Sequence, residues 1–95
     1  MKAELVYHEK KYLSGDSVKE IKIWRLPEDA DKRHGYKYSL VYIVEGVRVI
    51  GYDNAEGKGD HRHYADKESP YRFQGIEKLC KDFEVDVRKY TEGKK

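Results

Sequence analysis

A chain of 95 residues has room for one core, burying roughly two-thirds of the unfolded surface; a single domain over 1–95 is expected and a two-domain enzyme is excluded. Twenty Lys and Arg against eighteen Asp and Glu leave a net charge of +2, so composition does not mark a polyanion binder, and only local clustering can build an electropositive face. No apolar run approaches the roughly 20 residues of a membrane span, and Met1-Lys2-Ala3-Glu4 opens into alternating charge instead of a signal-peptide core; a soluble, cytoplasmic protein without membrane contact is expected.

In chain order, Leu5-Val6-Tyr7, Val18 to Leu26 and Tyr36 to Val44 are rich in β-branched and aromatic residues and are separated by turn formers, which reads as strands. Ser14-Gly15-Asp16-Ser17 is the first turn, and Pro27 to Gly35 is a polar, exposed connection that opens with a residue unable to donate a ladder hydrogen bond. Tyr36, Tyr38, Leu40, Tyr42 and Val44 alternate with Lys37, Ser39, Val41 and Ile43, and Glu45-Gly46 supplies a two-residue hairpin turn into Val47-Arg48-Val49-Ile50. Four strands within 2–54 and a polar loop over 54–72 are expected.

The period then changes. Phe73, Ile76, Leu79, Cys80, Phe83, Val87 and Tyr90 recur at spacings of three and four, the signature of one amphipathic helix over about 73–91. Pro70 disfavours helix at Ser69, and Gly93 sits where a helix ends. An α+β fold follows, a four-stranded antiparallel sheet with a C-terminal helix packed on one face, because neither element hides its apolar side alone. The lone Cys80 cannot form an internal disulfide; on the apolar side of the helix it reads as a small buried thiol without a redox role. Charged residues make up 40% of the chain while Asn54 and Gln74 are the only side-chain amides, usage that points to a thermophilic source.

Chemistry concentrates in Tyr52-Asp53-Asn54-Ala55-Glu56-Gly57-Lys58-Gly59-Asp60-His61-Arg62-His63. Two histidines can simply decorate a solvated loop. If Asp60 to Tyr64 is extended, however, His61 and His63 project from one side about 7 Å apart with Arg62 on the other. Such a pair can hold one neutral and one protonated ring near neutrality, which suits a divided acid and base in phosphodiester cleavage. Lys58, Arg62 or Arg72 would offset charge on a phosphorane-like transition state; Lys58 and Arg62 join the histidines as catalytic candidates and Arg72 counts as substrate-binding.

Tyr36, Tyr38 and Tyr42 read as core, Trp24 as core or stacking platform, and Tyr52 and Tyr64 as base-stacking groups flanking the loop. Asp53 and Asn54 are either turn-capping or substrate-binding residues, and Asp60 belongs with the substrate-binding set. Asp53, Asp60, His61 and His63 also offer a metal's oxygen and nitrogen ligands, but Lys58 falls among them and no Cys-x-x-Cys or helical His-x-x-x-His spacing supports it. No metal and no cofactor are expected. Gly57-Lys58-Gly59-Asp60 lacks the length and hydroxyl of a phosphate-binding P-loop.

Trp24-Arg25-Leu26-Pro27, His34-Gly35-Tyr36-Lys37-Tyr38, Tyr52-Asp53-Asn54, Gly57-Lys58-Gly59-Asp60-His61-Arg62-His63 and Pro70-Tyr71-Arg72-Phe73 together resemble the TumE family of toxin components of toxin–antitoxin pairs. The similarity spans most of the chain, and no polar motif residue is missing. It implies a toxin held by a small cognate antitoxin protein. With the residue reading it points to an RNA-acting toxin, a metal-independent endoribonuclease with His61 and His63 as the acid–base pair. The alternatives are a non-catalytic RNA-binding or antitoxin-binding module, and a metal-dependent nuclease using Asp53, Asp60, His61 and His63.

Overall fold

The computed structural model describes residues 3–13, 15–27, 35–54 and 59–93. Period-two alternation of apolar side chains builds strands β1 (Glu4–Leu13), β2 (Ser17–Arg25), β3 (Tyr36–Val44) and β4 (Val47–Asp53). The chain then adds two more, β5 (His61–Tyr64) and β6 (Lys67–Pro70), before helix α1 (Ile76–Gly93). Each strand pairs antiparallel with its sequence neighbour, giving one meander in the order β1-β2-β3-β4-β5-β6.

The sheet therefore has six strands where four were expected. The extra pair comes from the stretch read as a polar loop. Its alternation is invisible on a hydropathy scale because the residues on both faces are polar or charged, and ion pairs take the place of apolar burial. β6 is wholly exposed and ends at Pro70, which an edge strand tolerates because its N–H side needs no partner. Ala65, at φ 56°, makes the turn between the two strands.

Glu45 and Gly46 both take positive φ, 51° and 81°, the conformation that lets a two-residue turn follow the twist of the flanking strands. The connection read over Pro27 to Gly35 falls mostly outside the described residues; its ends are tied by Leu26 N–H donating to Gly35 C=O at 2.8 Å.

The helix begins at Ile76 and not near Phe73. Gly75, at φ 108°, has a backbone conformation that no helical residue adopts, so α1 starts just after it and Leu79 N–H donates to Gly75 C=O. Phe73 is held in place without the helix, its ring stacked 5.7 Å from that of Tyr38. Leu79, Phe83 and Val87, four residues apart and therefore on one stripe, are buried against Ile21, Ile23, Tyr38, Leu40, Tyr42, Ile50 and Tyr52. One face of the sheet is thus sealed by α1, and the other faces outward.

Candidate functional site

Register decides which polar residues meet on that outward face. Asp53 pairs with His61 and Gly51 with His63 across β4–β5, while His61 pairs with Pro70 and His63 with Glu68 across β5–β6. Directly paired residues share a face, so Asp53, His61, His63 and Glu68 converge. The Asp53 Oδ1 lies 2.8 Å from His61 Nε2, and Glu68 Oε2 lies 3.6 Å from the Nε2 of both histidines. The imidazole rings stand 5.3 Å apart, close to perpendicular at 74°. His61 is the deeper ring, its side chain 10% exposed against 21% for His63. An open cleft of about 420 Å³ adjoins them, lined by Asp60, His61, Glu68, Ser69 and Pro70.

Gly59, at φ 67°, turns its carbonyl towards His61, whose Nδ1–H donates to it at 3.2 Å. Gly51 has a different use. A Cβ there would lie 3.2 Å from Arg48 Cδ, so the missing side chain lets Arg48 lie across the strand beside the position paired with His63.

Arg62 and Tyr64 turn the other way. Arg62 donates to Asp86 from Nε at 2.7 Å and from Nη2 at 3.0 Å, and from Nε to the Tyr52 hydroxyl at 3.0 Å. The Asp86 hydrogen bonds raise the guanidinium pKa further. Tyr52 is 2% exposed, and burial followed by its 2.6 Å bond to Asp86 holds its phenol protonated. Tyr64 packs edge-on to Tyr90. These three residues lock sheet to helix and lie across the sheet from the histidines; Tyr52 is too buried for the stacking role read for it, whereas the Arg62 side chain stays 34% exposed and lines an open cleft with Tyr64 and Lys89.

Asn54 is fully buried, accepting from Tyr38 N–H at 3.0 Å and donating to Tyr36 C=O at 2.8 Å, which extends the β3–β4 ladder with a side chain. That is the backbone-capping reading of the residue. Asp60 accepts from the Tyr38 hydroxyl at 2.7 Å, and burial, then that carboxylate, push the phenol's pKa up. Asp60 lines the cleft but does not join the close donor group, which is Asp53, His61 and His63, with ligand atoms within 4.8 Å of one another. Arg72 is exposed. Lys58 lies outside the described residues.

Sequence reasoning missed Glu68, Arg48 and Asp86. Glu68 carried a signal only if Ala65-Asp66 is read as a hairpin turn, which sets Glu68 opposite His63. Asp86 had a plainer one: it falls between Phe83 and Val87 on the helix stripe, where a carboxylate needs a cation to be buried.

The match to the toxin TumE family runs over residues 2–91. The chain belongs to the TumE toxin family. No curated protein and no solved structure matches it. TumE membership carries the role of a toxin and implies a cognate antitoxin as partner. All five segments on which the resemblance rests lie inside the match, and two of them supply Asp53, His61 and His63. Among the described residues no helix is long and apolar enough to cross a membrane.

Proposed function

We propose that this TumE-family toxin cleaves RNA at the Asp53–His61–His63 cluster, with Arg48 as the neighbouring phosphate-binding cation. The observation that carries the reading is the convergence of two imidazoles and a carboxylate within 4.8 Å on the face of the sheet that the helix leaves open. In such a reaction the 2′-oxygen of the RNA attacks the adjacent phosphorus in line, its proton passes to the cluster, and the 5′-oxygen leaves and is protonated. Arg48 offsets the negative charge gathering on the phosphorane oxygens. RNA as substrate makes the cytoplasm the place of action and the antitoxin the means of holding it inactive.

The expected even division of acid and base between two independent rings fits less well, because both nitrogens of His61 already face oxygen atoms, those of Gly59 and Asp53. The three side chains act as a unit. Asp53→Asn, His61→Ala and His63→Ala should each lower RNA cleavage by about a hundred to ten thousand fold, the usual range for losing proton-transfer catalysis, measured on protein whose circular dichroism is unchanged. A loss of only a few fold overturns the catalytic reading; retained RNA binding without cleavage in the parent chain gives the non-catalytic RNA-gripping module in its place.

A further inference from the structure

His61 faces an oxygen atom with each of its ring nitrogens. A backbone carbonyl can only accept, so the contact between Nδ1 and Gly59 fixes the hydrogen on Nδ1. The electron pair of Nε2 then points at the Asp53 carboxylate from 2.8 Å. Two acceptors held that close repel unless a cation is shared between them, either a second proton on the ring or a metal ion. Here His63 is brought to the same point by strand register, and Glu68 Oε2 is equidistant from both ring nitrogens at 3.6 Å.

We propose that Asp53, His61 and His63 form a binding site for one divalent first-row transition-metal ion, with Glu68 beside the open coordination position. Ligand atoms bound at about 2.0–2.2 Å stand roughly 2.8–3.6 Å apart around an ion, so the 2.8 Å Asp53–His61 spacing is at the short end for adjacent ligands, and the 4.8 Å outer limit of the group closes with small side-chain rotations. The ring nitrogen of a metal-bound histidine that does not face the metal characteristically donates to a carbonyl or carboxylate, which fixes tautomer and orientation; the bond from Nδ1 to Gly59 is that arrangement. Two imidazoles and one carboxylate favour zinc, iron, cobalt or nickel over magnesium, which takes oxygen ligands. A bound ion there would act as a Lewis acid on a phosphate oxygen. The inference rests on the site proposed for RNA cleavage but not on RNA as the substrate, and it reverses the metal independence expected from sequence.

The test uses untagged full-length protein freed of metal by chelator, titrated with Zn²⁺ by calorimetry and with Co²⁺ by visible absorption. One equivalent should bind saturably, with the intense ligand-field bands of a low-symmetry cobalt site, and millimolar Mg²⁺ should give no heat. Asp53→Asn and His63→Gln should weaken binding by at least about tenfold, the lower range seen even for outer-shell changes, while His8→Gln, far along the sheet, should not; circular dichroism checks that the variants are folded. Absence of saturable Zn²⁺ and Co²⁺ binding, or affinity unchanged in Asp53→Asn and His63→Gln, overturns the proposal. Ion binding without RNA cleavage upholds this site and sinks the RNA reading. Cleavage that survives chelation in a chain that binds no ion does the reverse.

Discussion

The two faces of β5 carry comparable chemistry to opposite ends. Inward, Arg62 meets Asp86 and Tyr52 in a group packed against the helix, where the guanidinium, carboxylate and phenol bond one another. Outward, Asp53, His61, His63 and Glu68 crowd together beside an open cleft. Charge packed against the helix holds the structure together, and donor atoms gathered at an open surface can take a ligand from solution. One strand, by alternation alone, contributes to both.

If that division is right, inward substitutions should change stability and spare the chemistry. Phe83→Ala removes a fully buried ring and should cost about 3–5 kcal/mol, read from the denaturant midpoint; an unshifted midpoint would mean α1 does not dock on the sheet as described. Asp86→Ala should come next, about 1–3 kcal/mol, because it leaves the buried Tyr52 hydroxyl without its acceptor and the partly exposed Arg62 without its carboxylate. Ion binding by the folded fraction of either variant should match the parent.

Gly51→Ala sharpens the comparison from the outward side. The new methyl meets only the flexible Arg48 side chain, so stability should move by less than about 1 kcal/mol, whereas displacing Arg48 should lower RNA cleavage by about tenfold, the effect of about 1.4 kcal/mol on a barrier. Cleavage at the parent rate would remove Arg48 from the site. The smallest effect belongs to a pair on the same face but away from the cleft. His8 lies 2.8 Å from Glu20 Oε2, and its hydrogen bond is the main cause of the lowered Glu20 pKa. A depressed carboxyl stabilises the fold above the unfolded-state value, near 4.5, and that contribution disappears as pH falls through the lower folded-state value. Glu20→Gln should therefore lower stability slightly at neutral pH, flatten the acid limb of the profile, and leave stability unchanged below the folded-state value.

The same contrast explains what could be read without coordinates. The first four strands were legible because Tyr38, Leu40 and Tyr42 alternate with smaller or polar residues, and α1 because Leu79, Phe83 and Val87 repeat at helical spacing. β5 and β6 were not, since Arg62 is paired with a carboxylate twenty-four positions away that no local pattern reveals. The helix start slipped past Phe73 because its position depends on the φ of Gly75, which identity alone does not give. Asp53, His61 and His63 could be picked out by residue type and alternation, whereas the roles of Tyr52 and Arg62 could not, because both depend on Asp86.

The strictly sequential strand order has a kinetic consequence. Every strand pairing joins neighbours in the chain, so the sheet can grow by hairpin closures of short reach, each paying little loop entropy. The cluster on the open face draws its residues from β4, β5 and β6 alone; the β4–β5 hairpin brings Asp53, His61 and His63 together and the last hairpin adds Glu68. The helix supplies the long-reach contacts, from Lys19 to Glu84 and from Arg62 to Asp86. Assembly of the site and its locking are thus separate events in the order of synthesis: the ligands come together as β5 pairs with β4, Glu68 joins as β6 zips on, and rigidity follows once α1 has emerged.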